Sequence, residues 1–186
     1  LRERGIPALF FLVTSYAGRE NAWELPLPFR RSTHLGWDEV SSLASDPLFT
    51  FGSHSASHRD LTGLPGSELE KELAVSREEI GRRTGRPART ISYPFGRVDA
   101  GVAAAAEAAG YEAAFTLCPG RSDGPGDRMV LRREGVWIID TPSSVRTKLS
   151  KGRFFWLEDL KGRAINGLAV MTPFFRRKGP PDLPAA

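Results

Sequence analysis

Phe51-Gly52-Ser53-His54-Ser55-Ala56-Ser57-His58-Arg59-Asp60-Leu61 is the stretch on which the reading of this chain turns. Of three histidines in the sequence, His54 and His58 both lie here, four positions apart. If the segment coils as a helix, the two rings share a face with an axial rise of about 6 Å. That spacing lets two imidazoles hold one metal ion. The pair also follows Leu48 to Phe51, which reads as a short strand, and parallel α/β folds bind ligands at the carboxyl ends of their strands. On spacing alone, two histidines satisfying a turn fit equally well.

Outward from this stretch the chain alternates strands and helices. Upstream, Leu1 to Gly5 reads as a last helical turn stopped by glycine. Ala8 to Val13 is a continuous apolar run, expected as a strand buried on both faces. Asn21 to Thr33 reads as a loop, and Trp37 to Ala44 carries apolar residues at helical spacing. Downstream, Ser67 and Glu70 match a capping box that opens a helix running to about Thr84, with Leu69, Leu73 and Ile80 on one face. Thr90 to Tyr93 reads as a strand stopped by Pro94. Asp99 caps an alanine-rich helix closed by Gly110. Ala113 to Leu117 reads as another strand, and Val130 to Ile139 as one or two more. Ser143 to Ser150 and Phe155 to Lys161 read as short helices. The alternation argues an α/β fold with a parallel sheet.

Composition narrows the class. The chain has 186 residues with 40% hydrophobic and 26% charged content, which suits one globular domain and excludes a mainly disordered chain. A single cysteine, Cys118, excludes an intramolecular disulfide framework and a cysteine-based zinc cluster. No apolar run reaches the ~18–20 residues of a membrane span. No signal peptide is visible at Leu1 to Gly5, and the compartment is left open. The net charge is +4; arginine supplies most of the positive charge, some of it in adjacent pairs such as Arg30-Arg31 and Arg82-Arg83. They sit in no nucleic-acid motif, so no nucleic-acid partner is expected; a solvated surface and attraction to an anionic polymer both fit.

A second segment, Ser92-Tyr93-Pro94-Phe95-Gly96-Arg97, also follows a strand. Pro94 and Gly96 force an irregular backbone there, whose N–H groups can face a ligand instead of the sheet. Taken in order, the segments resemble the polysaccharide deacetylases, the group sharing the NodB-homology domain. His54-Ser55-Ala56-Ser57-His58 with Leu61, led in by Gly52-Ser53, is similar to their second motif, and Pro94-Phe95-Gly96 to their third. Gly5 to Val13, Trp37-Asp38-Glu39-Val40 and Ala109-Gly110-Tyr111 look like the flanking elements. The resemblance covers Leu1 to about Lys151.

The resemblance implies a deformed (β/α) barrel, its domain taken as residues 1–178, while the Gly- and Pro-rich composition of residues 179–186 reads as a disordered tail. It implies metal-dependent removal of acetyl groups from an N- or O-acetylated polysaccharide, with exopolysaccharide among the expected substrates. The metal would be Zn²⁺ or another divalent transition ion, with His54 and His58 as ligands. The backbone N–H of Phe95 would stabilise the oxyanion. Tyr93, Pro94, Gly96 and Trp137 would line the substrate. Three family features are not matched: the Thr-Phe-Asp-Asp-Gly motif that carries the base and third ligand, the arginine before the third motif, and a late Leu-x-His. The expectation is therefore a barrel lacking its N-terminal strand, with Arg89 or Arg97 as stand-ins for the arginine. Asp60, Asp99 and Asp140 are weighed as replacement carboxylates: Asp60 points elsewhere on a helix, Asp99 is a cap, and Asp140 beside Trp137 is similar to a supporting pair. His34 is expected on the surface or in a cap. The alternative function is a non-catalytic carbohydrate-binding relative. An enzyme using these imidazoles is expected to lose activity below about pH 6.5, the ordinary histidine value. The oligomeric state is left open.

Overall fold

Five short strands lie side by side in chain order, all parallel. They are β1 (Ala8–Leu12), β2 (Phe49–Ser53), β3 (Thr90–Ser92), β4 (Ala113–Thr116) and β5 (Leu131–Arg132). Helix α1 (Trp37–Ala44) connects β1 to β2, α2 (Gly66–Thr84) connects β2 to β3, and α3 (Ala100–Ala108) connects β3 to β4. Two further helices, α4 (Pro142–Ser150) and α5 (Phe155–Phe175), follow β5. The structure is a computed structural model that describes residues 1–20, 33–117 and 127–175, the last eight by backbone alone. Most of the loop expected over Asn21 to Thr33, Cys118 and the tail at 179–186 lie outside the described residues.

A strand order that never reverses adds each new strand on the same side, as the staves of a (β/α) barrel do. A doubly wound sheet would reverse its order at a switch point. The α/β expectation holds, and β1 is the sheet edge among the described residues. Two apolar clusters hold the helices down. Val40, Ala44, Phe49, Phe51, Ile80 and Ala88 pack α1 and α2 against β2. Leu69, Leu73, Ile91, Tyr93, Val102 and Ala114 lie in the second cluster, between α2, α3 and the central strands. Each fully buried Leu or Ile contributes about 1.5–3 kcal/mol.

Several local expectations change. β1 is half-buried, not buried on both faces, because it stands at the edge; Leu9 is 38% exposed. Helix α2 starts two residues early, with Pro65 at the N-cap and no side-chain cap bond, so Ser67 is not a capping box residue. The short turn at Leu61–Gly63 delivers the chain already aligned for the helix. The stretch 130–139 gives only two strand residues. Helix α5 runs 21 residues, far past Lys161. Gly162 and Gly167 interrupt its apolar pattern, but an Asp159–Arg163 pair at 2.7 Å and the Asn166 bond to Leu117 O at 2.8 Å support it.

Candidate active site

The register of β1 and β2 delivers the first imidazole. Leu12 pairs with Ser53, and the next N–H, that of His54, donates to Leu12 O at 2.7 Å. Gly52 permits the close approach: a Cβ there would lie 2.8 Å from the Phe11 ring and 2.5 Å from Thr90 Oγ1. Beyond Ser53 the chain does not coil. It turns irregularly, with Ser55 at φ 66° and His58 at φ 59°. The helical route to a shared face is thus corrected, yet the rings still meet, with centroids 4.9 Å apart at 65°.

The turn is held from behind by α2. Glu72, fully buried, accepts from Ala56 N at 3.0 Å, from Ser57 N at 2.9 Å and from the Ser57 hydroxyl. Ser55 Oγ accepts from His58 N at 2.9 Å, and Ser53 Oγ accepts from Ser55 N at 3.0 Å. Ser53 Oγ also pairs with Ser76 Oγ at 2.7 Å, and Tyr111 OH donates to Leu73 O at 3.0 Å beside it. On the other side, Ser15 N donates to Ala56 O at 2.9 Å. Each serine of the motif therefore anchors its backbone. Glu72 and Ser76 were missed by the sequence reading, although they share the α2 face with Leu69, Leu73 and Ile80.

The second turn rises from β3. Phe95 sits at φ 58° and Gly96 at φ 68°. Gly96 is packed so tightly that a Cβ would lie 2.8 Å from Leu117, and its carbonyl accepts from Thr116 Oγ1 at 2.6 Å. The Phe95 ring meets His58 edge-on at 4.6 Å. Of four non-glycine residues with positive φ among the described residues, three (Ser55, His58 and Phe95) stand in these two turns. Such conformations cost about 1–3 kcal/mol each and persist where surroundings over-determine them, commonly at functional sites.

The chemistry of His54 follows from its one carbonyl partner. Nδ1 lies 2.5 Å from Ser92 O, which can only accept. Nδ1 therefore carries the proton, and the Nε2 lone pair is available to a ligand. Burial pushes the His54 pKa down to about 4, against the Ser92 bond that raises it, with Arg133 lowering it further. The ring is thus neutral well below the ordinary histidine value.

Arg133, just after β5, is the arginine that reaches the end of β3. It donates to Ser92 Oγ at 2.7 Å and lies 5.4 Å over the Phe11 ring. Arg89 instead pairs on the surface with Glu112 at 3.2 Å, and Arg97 with Asp60 at 2.8 Å. Asp60 also caps the turn at Thr62, and Asp99 caps α3 through Val102 N at 2.8 Å. Asp140 is bound by Lys148 and Lys161, at 2.5 and 2.6 Å. Among the described residues no three His, Cys, Asp or Glu side chains form a metal-holding group.

The remaining expected contacts are dispersed. Pro94 and Gly96 are buried and shape the turn. The Tyr93 ring is 0% exposed within the core, so it has no surface to offer a sugar. Trp137 lies on the 133–140 segment, its N–H bonded to Asp140 at 2.8 Å, with no described contact to the histidines. His34 is not on the open surface. It is half-buried, stands edge-on to Tyr16 at 5.8 Å, and lines a cavity of about 190 Å³ together with Phe10, Phe11, Leu12, Val13 and His54.

Comparison with known proteins adds the family context. The family profile described as Polysaccharide deacetylase matches residues 1–114. YxkH of Bacillus subtilis (strain 168), assigned as a polysaccharide deacetylase, is 25% identical over 136 residues, covering 73% of this chain and 44% of its own. The crystal structure of BC0361, a polysaccharide deacetylase from Bacillus cereus, aligns with a TM-score of 0.55 at 25% identity over 69% of this chain and 37% of that one. IcaB from Ammonifex degensii aligns with a TM-score of 0.60 at 21% identity, over 81% and 63% of the two chains, and speaks to the fold. The structural neighbours have a (β/α) barrel fold. This chain spans less than half the length of the two Bacillus proteins.

Proposed function

Because this chain belongs to the polysaccharide deacetylase family, we propose that it serves the metal-dependent hydrolysis of acetyl groups on an acetylated polysaccharide. The observation that carries this reading is the convergence of His54, His58 and the Phe95 turn at the carboxyl ends of β2 and β3. The two imidazoles suit the nitrogen part of a zinc site, since zinc takes neutral imidazole and one ring has its tautomer fixed by a carbonyl. They supply two ligands of about four, so water or a carboxylate must complete the set. A zinc ion held there would polarise the acetyl carbonyl and acidify a bound water.

The protein's own groups do the positioning. Ser92 O keeps the His54 proton on Nδ1. Glu72 fixes the turn that carries both rings. Arg133 adds positive charge beside Ser92 and favours the neutral form of His54. The Phe95 N–H, on a left-handed residue against His58, is the donor assigned to the developing oxyanion.

The test is elemental analysis of the full chain and of a His54→Ala/His58→Ala variant, beside acetate release from N-acetylglucosamine oligomers and acetylated xylan. Near-stoichiometric zinc, lost in the variant together with acetate release, is the expected result. Oligosaccharide binding with no acetate release, unchanged in the variant, would assign the chain instead to a non-catalytic carbohydrate-binding role. Equal metal content in both proteins would overturn the ligand assignment.

A further inference from the structure

Twelve large apolar side chains are exposed among the described residues, and eight of them fall between positions 136 and 160. Ile138 is 99% exposed, Leu149 80% and Trp156 61%, with Ile139, Phe154 and Leu160 alongside. Soluble chains rarely leave so many large apolar groups together without a partner surface. These residues come from three segments, and Asp140 draws the three to one point. Its carboxylate is bound by Lys148 of α4 and Lys161 of α5, while its backbone N–H donates to Trp137 O at 2.8 Å.

Charge selects the occupant. Positions 136–163 hold six Lys or Arg against three Asp or Glu. All three carboxylates are consumed internally: Asp140 by its two lysines, Glu158 by Lys161 at 2.5 Å, and Asp159 by Arg132 and Arg163 at 2.5 and 2.7 Å. Arg146, Lys151 and Arg153 are exposed and have no carboxylate partner among the described residues. The surface shown to solvent is therefore apolar and cationic, with aromatic residues beside basic ones. A second copy docked on the same patch would set these cations against each other. An anionic lipid surface satisfies both properties at once: side chains such as Trp156 and Phe154 enter the headgroup boundary while the cations meet phosphate.

We propose that the face formed by residues 136–139, α4 and the first turns of α5 rests on the surface of an anionic membrane. No helix described is long and apolar enough to cross one, so the attachment is peripheral.

The test is co-sedimentation of the full chain with vesicles of phosphatidylcholine alone and of phosphatidylcholine with phosphatidylglycerol, at low and high salt, beside analytical ultracentrifugation. Binding to the anionic vesicles, weakened by salt and weak on the neutral ones, is expected. Replacing Arg146, Lys151 and Arg153 by alanine should reduce partitioning by on the order of a hundredfold. Phe154→Ser with Trp156→Ser should reduce it about tenfold or more. No binding to anionic vesicles, or equal binding to both compositions, would overturn the proposal. So would a dimer in solution that the Trp156 variant dissociates, which would make the patch a contact between copies. The two-lipid comparison uses the unaltered chain and decides the matter even where a variant folds poorly.

Discussion

The two turns that carry His54, His58 and Phe95 and the segment from Arg133 to Gly167 are fastened by different physics. The histidine turn is pinned by buried hydrogen bonds, chiefly through Glu72, Ser53 and Ser55, and the Phe95 turn by the buried Thr116 hydroxyl on Gly96 O. The later segment is clasped by ion pairs around Asp140, and leaves its large apolar side chains outside. The contrast separates two tasks. A site that holds rings in one geometry needs short directional bonds and tolerates backbone strain. A segment that presents a surface needs only to be kept in place.

The largest effect expected from this contrast is at Glu72. Glu72→Ala leaves three buried donors without an acceptor, at about 3–5 kcal/mol in total. Denaturant unfolding should show that loss, with Glu72→Gln recovering about half because one acceptor oxygen remains. A loss under 1 kcal/mol would mean that the turns do not depend on α2.

The next effect is pH-dependent. His54 titrates at about 4 when folded and near the ordinary 6.5 when unfolded. Between those values the unfolded chain binds more protons, so stability is complete above about pH 6.5 and declines as pH falls toward 4. The total is no more than about 3 kcal/mol, because part of the ring reaches the cavity. Unfolding measured across this range should lose that slope in His54→Asn; an unchanged slope would locate it elsewhere.

A smaller and more local effect is expected at the clasp. Asp140→Asn should remove hydrogen-exchange protection from α4 and α5 while β1 to β4 keep theirs. Loss of protection throughout the sheet would erase the distinction between the two regions. The smallest effect is a gain. Lys151 ends α4 at φ 48°, so Lys151→Gly should stabilise the chain by about 0.5–1 kcal/mol. A lower thermal midpoint would show that its side chain does more than close the helix.

Legibility in the sequence followed the same division. Helix α1, the cap at Asp99, the glycine stops at Gly85 and Gly110, and the alternation of strands with helices along the chain were readable because each rests on local pattern or turn chemistry. The histidine pair was readable from spacing, although the conformation that joins the rings was not: a helix and a left-handed turn both bring them together. Glu72 was hidden because a carboxylate on a helix usually means a solvated face. Arg133 was hidden because it reaches Ser92 from 41 positions away, through strand pairing that no local signal specifies. The length of α5 was hidden by its two interior glycines.

One consequence remains in the pairing of β1 with β2. Phe49 to Ser53 sit opposite Ala8 to Leu12 residue for residue, and His54 leaves the sheet at the very next position. The strand thus acts as a ruler, and the imidazole is addressed by counting along it. Because side chains alternate between faces at every step, one inserted or deleted residue in β2 would send Ser53 or Ser55 to the place of the ring while leaving composition and hydrophobicity almost unchanged. In this chain, length is as much a part of the chemistry as the histidine itself.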